Sequence, residues 1–320
     1  MLILNGLRIE TAAGGETTDK GADLVWRTER VDALPAEPEA GNPIAIVRGL
    51  PTSAGTATDH IFGYDGKVRC RFRIGADGST VGCQALPEVS DRDLFSLFAE
   101  PVMRSVLVRR VLLSFHAAAL AKDGRAILVM ADKGAGKSTL SWALQDGGWQ
   151  LLADDLARVD RVDGVWSVFP GHRQTKLTPA AARAFGYAAE AMPERFDDPG
   201  PAASAALFDK RIIDAPSFPD DPKAAIPLAA LCLLTARHPS APAVQITALR
   251  PFPAVRGLIE HATRDPIGDV PALPPALQNV VGELATSVRT VAVTLPDRFD
   301  RLVEAETALS ELIADRRASA

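Results

Sequence analysis

The sequence predicts an α/β fold, and three observations carry that prediction. From about residue 101 onward, apolar strand-like runs alternate with helical stretches, as in a layered sheet-and-helix domain. Within that region a short continuous apolar run, Ala126 to Ala131, leads into a glycine-rich loop and then a helix with one apolar face. Before it, residues 1–100 hold short strand-like runs separated by Gly, Thr, Asp and Pro, which reads as a smaller β-rich region. Two parts are therefore expected, a β-rich N-terminal region over 1–100 and the α/β domain over 101–320.

Each element has its own signal. IAIVRG at 44–49 reads as a strand. So does KVRCRFRIG at 67–75, where Val68, Cys70, Phe72 and Ile74 alternate with Lys67, Arg69, Arg71 and Arg73. Such alternation is that of a half-buried strand with a basic, solvated outer face. The run 126–131 is short and bounded by Gly124 and Gly134, like a strand buried on both faces. After it Leu140, Ala143 and Leu144 share a helical face until Gly147 and Gly148 end the helix. WQLLADD is a second apolar strand, ending in acids, and ARVDRVDGVWSVF is a hairpin turning at Asp163-Gly164. Further on, PAAARAF suggests a short helix, LAALCLLTA a buried strand and 252–264 a helix opened by Pro253 with Val255, Leu258 and Ile259 inward. VRTVAVTL closes the set of strands, and Phe299, Leu302, Val303, Leu309, Leu312 and Ile313 outline an amphipathic terminal helix. The stretch 186–225, rich in Pro, Asp and Ala, is expected to be loop.

Composition narrows the function. The chain has 320 residues, 47% hydrophobic and 23% charged, with no internal repeat, an ordinary globular composition. A net charge of −5 gives no basic field for nucleic acid or an anionic membrane, so neither partner is expected. The N-terminus lacks the basic start and apolar stretch of an export signal, and no membrane-length apolar run occurs, so a cytoplasmic location is expected. Cys70, Cys83 and Cys232 have neither disulfide nor zinc spacing and read as reduced structural residues.

The chemistry begins at Ala131-Asp-Lys-Gly-Ala-Gly-Lys-Ser-Thr139, a phosphate-binding loop with Ala131 in the place of the usual first glycine. Lys133, Gly134, Ala135, Gly136, Lys137, Ser138 and Thr139 are the candidate nucleotide-binding residues. Gly134 and Gly136 would let backbone N–H groups close around phosphates at a helix N-terminus. Lys137 would reach the β and γ phosphates, and Ser138 would offer a hydroxyl to Mg²⁺. ATP and Mg²⁺ are accordingly the expected cofactors. Asp154 and Asp155 end the next strand, which in a parallel sheet places them on the ligand side. Two adjacent carboxylates repel, so one could hold metal while the other has a raised pKa suited to base work. His116, in SFHAAAL, precedes the strand that feeds the loop.

In order and spacing these residues resemble the HPr serine kinase/phosphorylase family. His116 lies 21 residues before Lys137, and Asp154 lies 17 after it. Family catalytic domains similarly run from a strand histidine through GxxGxGKS to a strand ending in ADD. The likeness covers 111 to about 160 and, through FPGHRQTKL, extends to about 178 as the diverged HPr-kinase-like branch, which includes kinases of lasso peptide precursors. What the resemblance implies is a PEP-carboxykinase-like P-loop fold, Mg-ATP as donor and a serine of a peptide or small protein as acceptor. Asp154 would deprotonate that serine, Asp155 with Ser138 would hold the metal, and His116 would orient the carboxylates. A homo-oligomer would also be in keeping. Thr139 stands where the bifunctional enzymes carry glutamate, so phosphorolysis is not implied. Lys210-Arg211, Arg173 and Lys176 are weaker candidates for charge near the phosphoryl group, surface cations being the ordinary reading. An ATP-binding switch with little turnover and a small-molecule kinase stay open as alternatives.

Overall fold

The computed structural model describes residues 2–13, 22–34, 44–53, 55–64, 67–194, 210–214, 224–235, 243–264 and 273–314. Its first sheet has seven strands: β1 (Leu2–Leu4), β2 (Leu7–Ala13), β3 (Leu24–Arg30), β4 (Ile44–Thr52), β5 (Gly55–Tyr64), β6 (Lys67–Ile74) and β7 (Thr80–Ala85). They lie in the order β1-β2-β3-β7-β6-β5-β4. β6 shows why the pattern was readable, because Val68, Cys70, Phe72 and Ile74 are all buried. Two short helices, α1 (Asp91–Leu97) and α2 (Met103–Arg109), joined by a π-helical turn Phe98–Val102, follow. Ser90 caps α1 by accepting the Asp93 N–H at 3.1 Å. Their apolar residues Leu94, Phe98, Val102, Val106 and Leu107 share one core with Ile9, Leu24, Phe72 and Ile74 of the sheet.

The second sheet is built from β8 (Ser114–Phe115), β9 (Ala117–Lys122), β10 (Arg125–Ala131), β11 (Gln150–Ala153), β12 (Ala157–Val162), β13 (Val165–Phe169), β16 (Ile226–Leu234), β17 (Gln245–Ala248) and β18 (Arg289–Thr294). Between β13 and β16 a small ribbon, β14 (Gln174–Leu177) with β15 (Arg211–Asp214), stands apart. β10, β16 and β18 run parallel, while β9 lies antiparallel to both β10 and β11. β11 therefore points the same way as β10. The β12–β13 hairpin, turning at Asp163 and Gly164 with φ of 50° and 81°, branches from the start of β16.

Helices cover both faces of this sheet. Ile127, Val129 and Ala131 face α3 (Lys137–Asp146) and α7 (Leu302–Ala314) through Leu140, Leu144, Ala305 and Leu309. Ala126, Leu128 and Met130 face α5 (Pro251–His261) and α6 (Pro275–Ser287) through Ala254, Leu258, Val281 and Leu284. Strict alternation along β10 thus feeds two cores, the layered α/β arrangement the sequence predicts. A further helix among the described residues, α4 (Pro179–Ala184), is capped by Thr178, which accepts the Ala181 N–H at 3.2 Å.

Three details differ from expectation. α5 opens at Pro251 rather than Pro253. The terminal helix starts after a 3₁₀ turn, and Val303 points outward at 67% exposure because Leu302, Ala305, Leu309 and Leu312 form the buried stripe. Within 186–225, Arg211–Asp214 is a strand, not loop, paired with β14; residues 195–209 and 215–223 of that stretch lie outside the described residues. The three cysteines are buried and unbridged. Among the described residues no helix is long and apolar enough to cross a membrane.

Candidate functional site

The sheet topology brings the candidate residues together. β9 begins where β10 and β11 end: Ala117 pairs with Met130, and Ala119 with Ala153. His116, one residue before β9, therefore lies on the same sheet edge as the loop after β10 and the acids after β11. β10 and β11 are not neighbours, since β9 lies between them, but they run the same way and so end on one edge of the sheet.

In the loop, Gly134 and Gly136 have φ of 89° and 104°, conformations open to glycine at little steric cost. Gly136 is the N-cap residue of α3 and its carbonyl accepts the Leu140 N–H at 2.9 Å. Lys133 and Gly134 are exposed, Ala135, Gly136 and Ser138 are half-buried, and Lys137 and Thr139 are buried. Unsatisfied N–H groups and the helix dipole make this end of α3 attractive to an anion. Beside it a cavity of about 480 Å³ is lined by Asp132, Lys133, Gly134, Ala135, Leu234, Thr235 and Asp297, at the carboxyl ends of β10, β16 and β18.

Lys137 reaches the acidic pair, its Nζ lying 3.1 Å from Asp154 Oδ1 and 2.7 Å from Asp155 Oδ1. Asp155 takes a left-handed φ of 63°, a strained region that aspartate tolerates better than most residues. The turn is held locally: the Asp155 N–H donates to Asp154 Oδ1 at 3.0 Å, and the Asp154 N–H donates to the His172 carbonyl at 2.9 Å. His116 Nδ1 lies 3.1 Å from the backbone carbonyl of Asp155. Its ring thus touches the turn that aims the carboxylates rather than a carboxylate itself.

Burial and charge oppose each other here. Burial works to raise the Asp155 carboxyl, but Lys137 and Lys176 together hold it well below the usual carboxylate range. Asp155 is therefore not the acid with a raised pKa that the repulsion argument allowed. Burial would lower Lys137, yet Asp154 and Asp155 outweigh it and keep the ammonium charged. Burial and then Lys137 push the His116 ring below its ordinary value, so it is neutral near pH 7.

Lys176, expected as a surface cation, is instead buried on β14, with Nζ 3.0 Å from Asp155 Oδ2 and in contact with Glu100 Oε1. His172 Nδ1 lies 3.1 Å from the same Glu100 oxygen. Glu100 and His172 were not singled out in the sequence. The usable signal for Glu100 was a lone acid among Phe98, Ala99 and Val102; His172 has no comparable one. Arg211 donates from Nε to the carbonyl of Ala189 in the 3₁₀ turn Ala189–Ala191 at 2.8 Å and pairs with Glu194 at 3.4 Å. Arg173 is half-buried, and burial lowers its pKa.

The cluster holds two ammonium groups against three carboxylates, Asp154, Asp155 and Glu100. Asp154 is 1% exposed, and its Oδ2 has no hydrogen-bond partner. A buried carboxylate oxygen without a partner is costly. A hydroxyl proton would satisfy it, so this oxygen fits an alcohol acceptor, while Ser138 and Asp155 would give Mg²⁺ only two protein ligands and leave the rest to phosphate oxygens.

No protein-family model matches this chain, and no curated protein matches it significantly. Among solved structures it is similar to the Hpr(Ser) kinase/phosphatase from Coxiella burnetii, at 14% identity and a TM-score of 0.29, over 62% of this chain and 94% of that one. A likeness that slight leaves the functional reading to the residues of the site.

Proposed function

We propose that this protein is an ATP-dependent kinase that moves a γ-phosphoryl group onto a serine hydroxyl of a small protein or peptide. The observation that carries the reading is Lys137, at the head of α3, in contact with both members of an acidic pair in which Asp154 keeps a buried, unpartnered oxygen. Phosphate loop, lysine and carboxylates are the parts that phosphoryl transfer requires, since the protein's task is positioning and charge stabilisation.

The loop N–H groups and Lys137 would bind the phosphates. Ser138 and Asp155 would hold Mg²⁺, which when bound neutralises charge on the transferred group. Asp154 Oδ2 would accept the serine proton as the serine oxygen bonds to the γ phosphorus. The bond from that phosphorus to the bridging oxygen breaks, and ADP leaves with the electron pair. His116 would act through the Asp155 carbonyl, keeping the turn in shape.

The test is transfer of labelled γ-phosphate from Mg-ATP to HPr and to a precursor peptide. Asp154→Asn should lower the rate roughly 10²–10⁴-fold, the usual share of a general base, while ATP binding persists. Serine labelling unaffected by the substitution would reject the assigned role. A second reading, an ATP-binding switch, is favoured by one observation: both oxygens of Asp155 already face lysine ammonium groups. ATP binding by wild type with transfer to neither acceptor would select it.

A further inference from the structure

Lys176 takes no part in the proposed phosphoryl transfer, yet it is buried and ion-paired on two sides. Its side chain is 1% exposed and meets Asp155 on one side and Glu100 on the other. Glu100, 4% exposed, comes from the turn between α1 and α2, far away in sequence. A lysine buried between two carboxylates is firmly held, because withdrawing it would leave charges unpaired in a poorly solvated place. Lys137 occupies Asp155 Oδ1 at 2.7 Å while Lys176 occupies Oδ2 at 3.0 Å. Among the described residues, moreover, no group of three or more His, Cys, Asp or Glu side chains could hold a metal.

We propose that Lys176, anchored by Glu100, is a positioning residue that balances the charge of Asp155 so that a divalent cation enters the site only together with a nucleotide. The inference rests on the nucleotide-site reading above. A bare cation approaching Asp155 meets an ammonium group at each oxygen, and like charges at such separations repel strongly where water is scarce. Phosphate groups change the balance by drawing Lys137 off Oδ1. That oxygen then faces the metal, while Lys176 keeps Oδ2 and with it the orientation of the carboxylate. Metal entry thereby becomes coupled to nucleotide entry, and the N-terminal region takes part in the site through Glu100.

The experiment uses Mn²⁺ as the probe and the full chain without nucleotide, with free Mn²⁺ read by electron paramagnetic resonance. Wild type should bind Mn²⁺ weakly and Lys176→Met at least tenfold more tightly, and adding Asp155→Asn should remove the gain. Because Lys176→Met takes the ammonium away from Glu100, the titration is repeated in Lys176→Met/Glu100→Gln, which removes both charges and should show the same gain. Nucleotide-free affinity unchanged in the folded variants, tight binding by wild type, or a gain that survives Asp155→Asn would each overturn the proposal. The readout needs no turnover: failure of phosphate transfer rejects the kinase reading alone, and an unchanged Mn²⁺ titration rejects the role of Lys176 alone.

Discussion

His60 illustrates how far a single side chain can be pushed by its surroundings. It is 2% exposed on β5, with Nε2 2.9 Å from Ser105 Oγ and Nδ1 without a partner. Burial, helped by Arg104 and opposed by Asp59, brings its pKa down from 6.5 to about 4. The unfolded chain therefore takes up a proton near pH 6.5 that the native chain refuses until about pH 4. Stability must fall as pH drops through that window, by on the order of 3 kcal/mol for this group. Urea melts between pH 7 and 4 should show the loss, and His60→Gln should flatten it. In sequence His60 carried no signal, because burial of a lone histidine is decided by what folds over it. Lys176 was a weaker candidate in the sequence, and its burial went unread for the same reason. Its neighbours Gln174 and Thr175 are polar yet buried, so no alternation of apolar and polar residues marks β14 as interior. The loop residues Gly134 to Ser138 and the acids Asp154 and Asp155 were legible because their chemistry depends on local spacing.

Elements were readable where one period dominated. β6 and β10 announce themselves through alternation and continuous apolarity, and α3 through Leu140 and Leu144 ahead of Gly147. The helix α6 did not. Its buried Leu277, Val281, Leu284 and Ala285 keep helical spacing, but Pro274, Pro275 and Gly282 obscure it, and tertiary packing supplies what propensity lacks. At this scale Gly63 is the critical point of the β5–β6 hairpin, where the register shifts between Phe62 and Gly63. A Cβ there would lie 2.1 Å from the Lys67 carbonyl oxygen, a backbone atom that cannot swing aside. Gly63→Ala should cost about 1–3 kcal/mol, the range for forced overpacking. A lowered urea midpoint checks this, and an unchanged midpoint would show that the hairpin end yields freely.

At the scale of the molecule, polar ties between the seven-stranded and nine-stranded sheets join parts that no local pattern could bring together. The turn between β1 and β2 docks on the β12–β13 hairpin: the Asn5 N–H donates to the Pro170 carbonyl at 2.8 Å, and Arg158 donates from Nη1 to the Asn5 carbonyl at 3.0 Å. The Arg158 guanidinium also lies 4.3 Å from the centre of the Phe169 ring. Arg158→Met should lower stability by about 2–3 kcal/mol, combining a charged hydrogen bond with a partly buried cation–π contact. The midpoint of urea unfolding should fall with its slope unchanged, whereas a shallower slope would mean that the two sheets no longer unfold together.

The tie between Glu100 and Lys176 differs from the Lys137 pairs in the length of chain it closes. Lys137 meets Asp154 and Asp155 across 17 and 18 residues, whereas Glu100 meets Lys176 across 76. Closing the longer loop costs more chain entropy, by about 1.3 kcal/mol on logarithmic scaling. Contacts near in sequence are also reached sooner during folding. The site thus has a built-in order of assembly: Lys137, Asp154, Asp155 and Lys176 can find one another within a single stretch of chain, Lys176 lying 21 residues from Asp155, and Glu100 joins Lys176 only when the turn between α1 and α2 has docked on them.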